Sequence, residues 1–133
     1  MQTIGDILSP DFVHARMGDR VEQVLEVMTR QQINTVPVMD DAGSLRGILV
    51  RSDIYRFMID PGHYSSCPVE WVMTKNVVTA RLEDSLAETA LRLLDHRIEA
   101  MPVLDGDRVV GVVSKADLLR HFAMSDASRA LQS

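Results

Sequence analysis

One cysteine, Cys67, is all the chain contains. That excludes an internal disulfide framework and gives no sign of an oxidising compartment. With no partner identifiable for redox or nucleophilic work, the thiol reads as an inert loop residue. Aromatics are scarce at 5%, so aliphatic side chains and eight Met must fill any core. Basic residues are in deficit. Fourteen Lys and Arg against nineteen Asp and Glu leave a net charge of −5, and no basic patch of the kind nucleic acid demands stands out. Trp71, Tyr64 and Tyr55 are too dispersed for a base-stacking platform. No apolar run approaches the length of a membrane span. The opening MQTIGDILSPDF lacks the basic and apolar regions of a secretory signal, so the expected location is the cytoplasm.

Catalytic signatures are missing too. His14, His63, His96 and His121 are scattered without metal-ligand spacing. There is no G-x-S-x-G elbow, no P-loop and no G-x-G-x-x-G. Asp40-Asp41 and Asp105-Gly106-Asp107 fall in turns, where Asp serves the backbone. What remains is an ordinary globular composition, 46% hydrophobic and 25% charged over 133 residues, with room for one compact domain. Read as a stand-alone chain, it holds no second domain to regulate in cis.

The dominant feature is an internal repeat. Shifted by 65 residues, Asp6 to Asp40 lies over Trp71 to Asp105. Val13, Ala15, Arg16, Asp19, Ile33, Pro37, Val38 and Asp40 meet identical residues at Val78, Ala80, Arg81, Asp84, Ile98, Pro102, Val103 and Asp105. One residue then drops out of the turn, and the segment from Gly47 overlays that from Gly111 at a shift of 64.

Each half reads as strand, helix, strand, turn, strand, helix, a mixed α/β class. In the first, Phe12 to Ala15 is β-prone. Asp19 starts a helix with Glu22 completing a capping box, and Val21, Val24, Leu25 and Met28 share one helix face. Val36-Pro37-Val38-Met39 is a strand that its proline consigns to an edge or irregular position. Leu45 to Val50 follows, and Asp53 opens the next helix. In the second half, Val77 to Ala80 is a strand, and Asp84 or Ser85 caps a helix bearing Leu86, Ala90, Leu91, Leu93 and Leu94. Strands around Val103 and Val109 to Val113 flank the tight turn, and Asp117 opens the last helix. The helix of Leu86 to Leu94 is apolar over more than one stripe, which calls for a second buried surface: a homo-oligomer interface or contact between the halves. The expected boundaries are repeat one at 1–60, a connecting loop at 61–70, repeat two at 71–124 and a polar, frayed tail at 125–133. Half-chains of about 60 residues bury too little surface to stand alone, so the two should pack as one pseudo-twofold unit.

Two tandem units with Val72-Met73-Thr74, Pro-Val pairs at Pro37 and Pro102, and Gly111-Val112-Val113-Ser114-Lys115-Ala116-Asp117 before a helix resemble the CBS domain pair, or Bateman module. The resemblance spans roughly Ile4 to Met124. It implies two β-α-β-β-α repeats with clefts between them, adenosine-containing ligands, frequent dimerisation and no catalytic cofactor. The ligand candidates it implies are AMP, ADP, ATP, NAD and S-adenosylmethionine, and the regulated protein would act in trans.

By family position, Met73, Thr74, Val77, Val78, Ile98, Glu99, Ser114 and Asp117 form the stronger site. Leu8, Phe12, Val13, Ile33, Asn34 and Asp53, with Ser9, form the weaker one. Asp117 can accept both ribose hydroxyls, and the helix start offers N–H groups and a positive dipole end to phosphate; as a plain helix cap it would need no ligand. Val50 stands where a hydroxyl would meet phosphate, so the Asp53 site is expected to be weaker or to prefer an uncharged adenosine. Glu99 would repel a polyphosphate unless magnesium intervened. Arg51, Lys115, Arg97 and His14 are either compensating charges or solvated surface. A second function class is an interaction or dimerisation protein whose clefts are vestigial.

Overall fold

The computed structural model of the chain describes residues 2–62 and 66–132, with side chains described up to Ser125. His63, Tyr64 and Ser133 lie outside the described residues. A short α1 (Ile4–Ile7) leads into β1 (Ala15–Arg16), α2 (Val21–Gln31), β2 (Thr35–Met39), β3 (Leu45–Val50) and α3 (Arg51–Ile59). A single 3-10 turn at Val69–Trp71 precedes β4 (Ala80–Arg81), α4 (Leu86–Asp95), β5 (Ala100–Asp105), β6 (Arg108–Ser114) and α5 (Lys115–Gln132). Two three-stranded sheets result, in the orders β1-β2-β3 and β4-β5-β6. In each, the short first strand is parallel to the middle one and the last is antiparallel to it. The sheets meet through β2 and β5, so the pseudo-twofold axis runs between those strands. Among the described residues no helix is long and apolar enough to cross a membrane.

Four local expectations change. β2 is the central strand of its sheet, although it carries Pro37. The proline is tolerated because of its register. Pro37 lies opposite Ile48, whose N–H and C=O both point outward to Thr74 at 2.9 Å, so the ladder needs no donor there. Asp19 does not begin α2. Its carboxylate accepts the Arg16 N–H at 2.9 Å, while Gln23 Oε1 accepts the Arg20 N–H at 3.2 Å and the helix starts at Val21. In α5 the N-cap is Ser114, and Asp117 sits within the first turn. The polar tail is helical as far as Gln132, as the continuation of α5. Ala127, Arg129, Ala130 and Leu131 are helix formers with no Gly or Pro to stop them, and α5 runs on.

The two leading segments are exchanged, each packing on the core of the other repeat. Ile4 is fully buried in the second core, beside Leu86, Leu93, Met101 and Leu118, with Leu8 packed at its margin. Ile4 and Gly5 donate to the carbonyls of Asp84 and Leu82, each at 2.9 Å. Conversely, Cys67 and Val69 are buried in the first core with Val21, Met28, Leu49 and Ile54. Val69 donates to Asp19 O at 2.7 Å, and Val21 donates to Cys67 O at 2.9 Å. Cys67 is thus a loop thiol that is buried in the first core. Glycines permit the exchange: a Cβ at Gly111 would lie 2.7 Å from Leu8 Cγ, and one at Gly47 would lie 2.7 Å from Met73 Sδ and 2.9 Å from Thr74 O. Contact between halves does not cover α4. Leu91 and Leu94 are 58% and 59% exposed, beside Leu119 and Phe122 of α5.

Candidate functional site

Each leading segment starts on one sheet and ends on the other, so it crosses the gap where β2 meets β5. Two clefts form there, one on each side of the pseudo-twofold. The first, about 400 Å³, is lined by Phe12, Val13, Ile33 and Asn34 of repeat one and by Glu99, Ser114 and Asp117 of repeat two. The second, about 380 Å³, is lined by Asn34, Val50 and Asp53 of repeat one and by Thr74, Val77, Val78, Ile98 and Glu99 of repeat two. Asn34, Thr35, Glu99 and Ala100 open onto both. They are the residues at the start of β2 and β5, which the axis brings side by side.

The expected groupings are therefore crossed. Thr74, Val77, Val78 and Ile98 do not share a cleft with Asp117; they face Asp53. Phe12, Val13 and Ile33 do not face Asp53; they face Asp117. The cause is the exchange of leading segments, which carries residues 8–14 over the second sheet before β1 joins the first. Met73 lines neither cleft, since its thioether packs over Gly47. Leu8 packs over Gly111 and, with Ser9, lines a smaller hollow of about 250 Å³ that shares Asp117 and Val112 with the main cleft.

The two helix starts differ. Asp117 accepts the Ser114 N–H and donates its own N–H to Ser114 Oγ, both at 3.0 Å. This reciprocal box caps α5, and it leaves the outer carboxylate oxygen beside Arg120 Nη1 at 3.4 Å. In repeat one Val50 stands at the N-cap, no side chain caps α3, and Asp53 pairs with Arg56 at 3.0 Å. Lys115 and Arg51 are anchored and not loose surface. Lys115 Nζ lies 3.5 Å from Glu99, so the repulsive charge of Glu99 is met within the chain. Arg51 Nη2 donates to Ile33 O at 3.0 Å, and its Nε is buried without a partner among the described residues. Both helices also tie their first N–H to the opposing strand start: Arg51 N to Asn34 O and Lys115 N to Glu99 O, each at 2.9 Å.

Each cleft pairs an aliphatic wall with a carboxylate on the first turn of a helix, a combination suited to a flat apolar ring bearing a diol. Sequence reasoning missed several lining residues, among them Asp11, Gln32 and Asn76, and Arg97 as a wall of the Asp53 cleft. The repeat register holds the signal for them, because Asp11 aligns with Asn76 and Gln32 with Arg97.

Known proteins match this architecture. The chain is 29% identical over 120 residues to the L-aspartate semialdehyde sulfurtransferase of Methanocaldococcus jannaschii, covering 90% of this chain and 23% of that protein. The chain spans about a quarter of the length of that protein and of three further curated relatives it matches. Among solved structures, the CBS domain pair of protein MJ0100 in complex with 5′-methylthioadenosine and S-adenosyl-L-methionine is 28% identical. It has a TM-score of 0.83, covering 94% of this chain and 98% of that one. A putative acetoin utilization protein (AcuB) of Vibrio cholerae shares the fold over the whole chain and 98% of its own, with a TM-score of 0.89 at 21% identity. The CBS domain model matches residues 4–60 and again 69–124. The chain belongs to the CBS domain family, as a tandem pair of such domains.

Proposed function

We propose that the chain is a cytoplasmic regulatory module that binds an adenosine-containing compound in its clefts and modulates a partner protein in trans. The observation that carries this reading is the matched pair of clefts, each with an Asp on the first turn of a helix opposite an aliphatic slot. A ribose presents two adjacent hydroxyl donors that one carboxylate can accept together. Val13 and Ile33, or Val78 and Ile98, would sandwich the adenine. The two compounds bound to the 28%-identical MJ0100 pair are both adenosyl derivatives, which supports the same class here. Candidate ligands are AMP, ADP, ATP, NAD and S-adenosylmethionine, with magnesium as the counterion that a polyphosphate would need near Glu99. The role is binding rather than catalysis: the relatives named as enzymes match this chain over only 23–24% of their own length.

The assembly proposed is a homodimer. Leu91, Leu94, Leu119 and Phe122 form an exposed apolar face on α4 and α5, larger than isolated surface apolars explain. Switching requires different ligand affinities in two arrangements of repeats or protomers. A dimerisation protein with vestigial clefts is the second reading, favoured by Val50 and the uncapped start of α3.

A thermal-unfolding panel separates them, using AMP, ADP, ATP with and without magnesium, NAD and S-adenosylmethionine, with GTP as control. A ligand at about 100 times its dissociation constant adds roughly 2.7 kcal/mol, or on the order of 5 °C here. A shift from an adenosyl compound that is reduced in Asp117→Ala or Asp53→Ala supports sensing. No shift from any member of the panel leaves the interaction reading.

A further inference from the structure

The pseudo-twofold lets the clefts be compared position by position. Their principal charges cancel locally in the same way. Asp117 is met by Arg120 and Asp53 by Arg56 one turn further on. Glu99, which lines both clefts, is met by Lys115. Arg51 lines neither cleft and donates to the Ile33 carbonyl.

Two wall positions break the symmetry of charge. Asp11 lines the Asp117 cleft, and its counterpart in the Asp53 cleft is the neutral Asn76. Gln32 lines the Asp117 cleft, and its counterpart in the Asp53 cleft is the cationic Arg97. Gln32 and Arg97 both sit just past a helix end in the left-handed region, at φ 56° and 54°. Neither is glycine, so each carries its side chain in a conformation that favours glycine. Asp11 and Arg97 are exposed, and neither has an ion-pair partner among the described residues. Both differences run the same way, so the wall of the Asp117 cleft is more negative than that of the Asp53 cleft by two unit charges. The helix starts agree with this. Ser114 Oγ already occupies the Asp117 N–H, whereas no side chain caps α3, leaving its positive end more available to an anion.

We propose that charge sorts the ligands: the Asp117 cleft takes an adenosyl compound with a cationic, sulfonium-bearing tail, and the Asp53 cleft takes one ending in a phosphate. This rests on the adenosyl binding proposed above. It reverses the expectation that Val50 weakens phosphate binding in the Asp53 cleft.

Titration calorimetry on the full chain tests it with three probes that share the adenosine group. S-adenosylmethionine is net positive, 5′-methylthioadenosine is neutral and AMP is an anion. Asp117→Asn should remove the S-adenosylmethionine isotherm, and Asp53→Asn should remove that of AMP. Asp11→Asn should lower the affinity ratio of S-adenosylmethionine to 5′-methylthioadenosine by roughly three- to tenfold, the range expected for one partly solvated charge. Arg97→Gln should lower the ratio of AMP to 5′-methylthioadenosine by a similar factor. Both effects should shrink between about 0.02 and about 0.3 M salt, as screening demands. Ratios unmoved by both substitutions, or AMP lost on Asp117→Asn, overturn charge sorting and leave adenosyl binding standing. If none of the three binds the wild-type chain, adenosyl binding falls and charge sorting with it.

Discussion

Replacing Gly111 with alanine tests how the N-terminal segment is held. The new Cβ would lie 2.7 Å from Leu8 Cγ and Cδ1 and 2.8 Å from Cδ2. No rotation of one terminal methyl relieves contact with all three atoms, so Leu8 must leave its seat or β6 must shift. Overpacking of this kind costs roughly 1–3 kcal/mol. The lower entropy of an unfolded Ala against Gly returns about 0.4–1 kcal/mol where the backbone conformation is compatible. A net loss of about 1–2 kcal/mol is therefore expected for Gly111→Ala. With a urea slope of roughly 1–3 kcal/mol/M, the midpoint should fall by about 0.5–1 M. Gly47 makes an informative partner, because a Cβ there meets the Thr74 backbone carbonyl at 2.9 Å as well as Met73. Leu8→Ala should partly rescue Gly111→Ala, and Met73→Ala should rescue Gly47→Ala less well, since a carbonyl cannot be trimmed. Urea midpoints for the four single variants and the two doubles make two double-mutant cycles. A neutral Gly111→Ala, or strict additivity with Leu8→Ala, would refute the close approach of segment and sheet.

Three further outcomes follow from the same packing. Ile4→Ala should cost about 2–5 kcal/mol despite its place near the N-terminus, because Ile4 is fully buried in the second core; chemical denaturation checks it. Ser114→Ala should cost about 0.5–2 kcal/mol by removing the cap of α5, whereas Val50→Ala, at an N-cap that already lacks a side-chain hydrogen bond, should lose no cap energy. Burial raises the Asp84 carboxyl, but the Arg81 N–H and the Arg92 guanidinium outweigh it, so its pKa is lowered from the ordinary value. The stability Asp84 contributes is then present above the unfolded carboxylate pKa and is lost as pH falls through the folded one. Arg92→Ala should shrink the stability difference between neutral pH and pH 3, measured by urea titration; an unchanged difference would contradict the assignment.

The repeat and its elements were legible because apolar spacing and turn residues act locally. β3, the α4 cap at Ser85 and the order of strands and helices all follow from a few neighbours each. Whether Pro37 could sit in a central strand depended on register, which one strand read by itself does not contain. The exchange of leading segments was illegible for a related reason. Ile4 and Val69 stand outside any periodic run, so no local pattern marks them as buried, still less in which of two similar cores. That choice rests on Gly47 and Gly111, which read as ordinary strand glycines until the opposing Met73 and Leu8 are placed over them. Crossing of the cleft sets followed directly. Gln32 escaped notice, and Arg97 was read only as a compensating charge or solvated surface, because their left-handed backbone sits at non-glycine residues, where turn chemistry gives no cue.

The central claim is that each cleft is a composite of both repeats and holds an adenosyl group. Amide chemical-shift mapping on titration with 5′-methylthioadenosine tests it most directly. The account predicts shifts in both repeats together, at Val13, Ile33 and Asn34 with Ser114 and Asp117, or at Asp53 with Val77, Val78 and Ile98. Shifts confined to one repeat, or to the exposed α4 and α5 face, would contradict it.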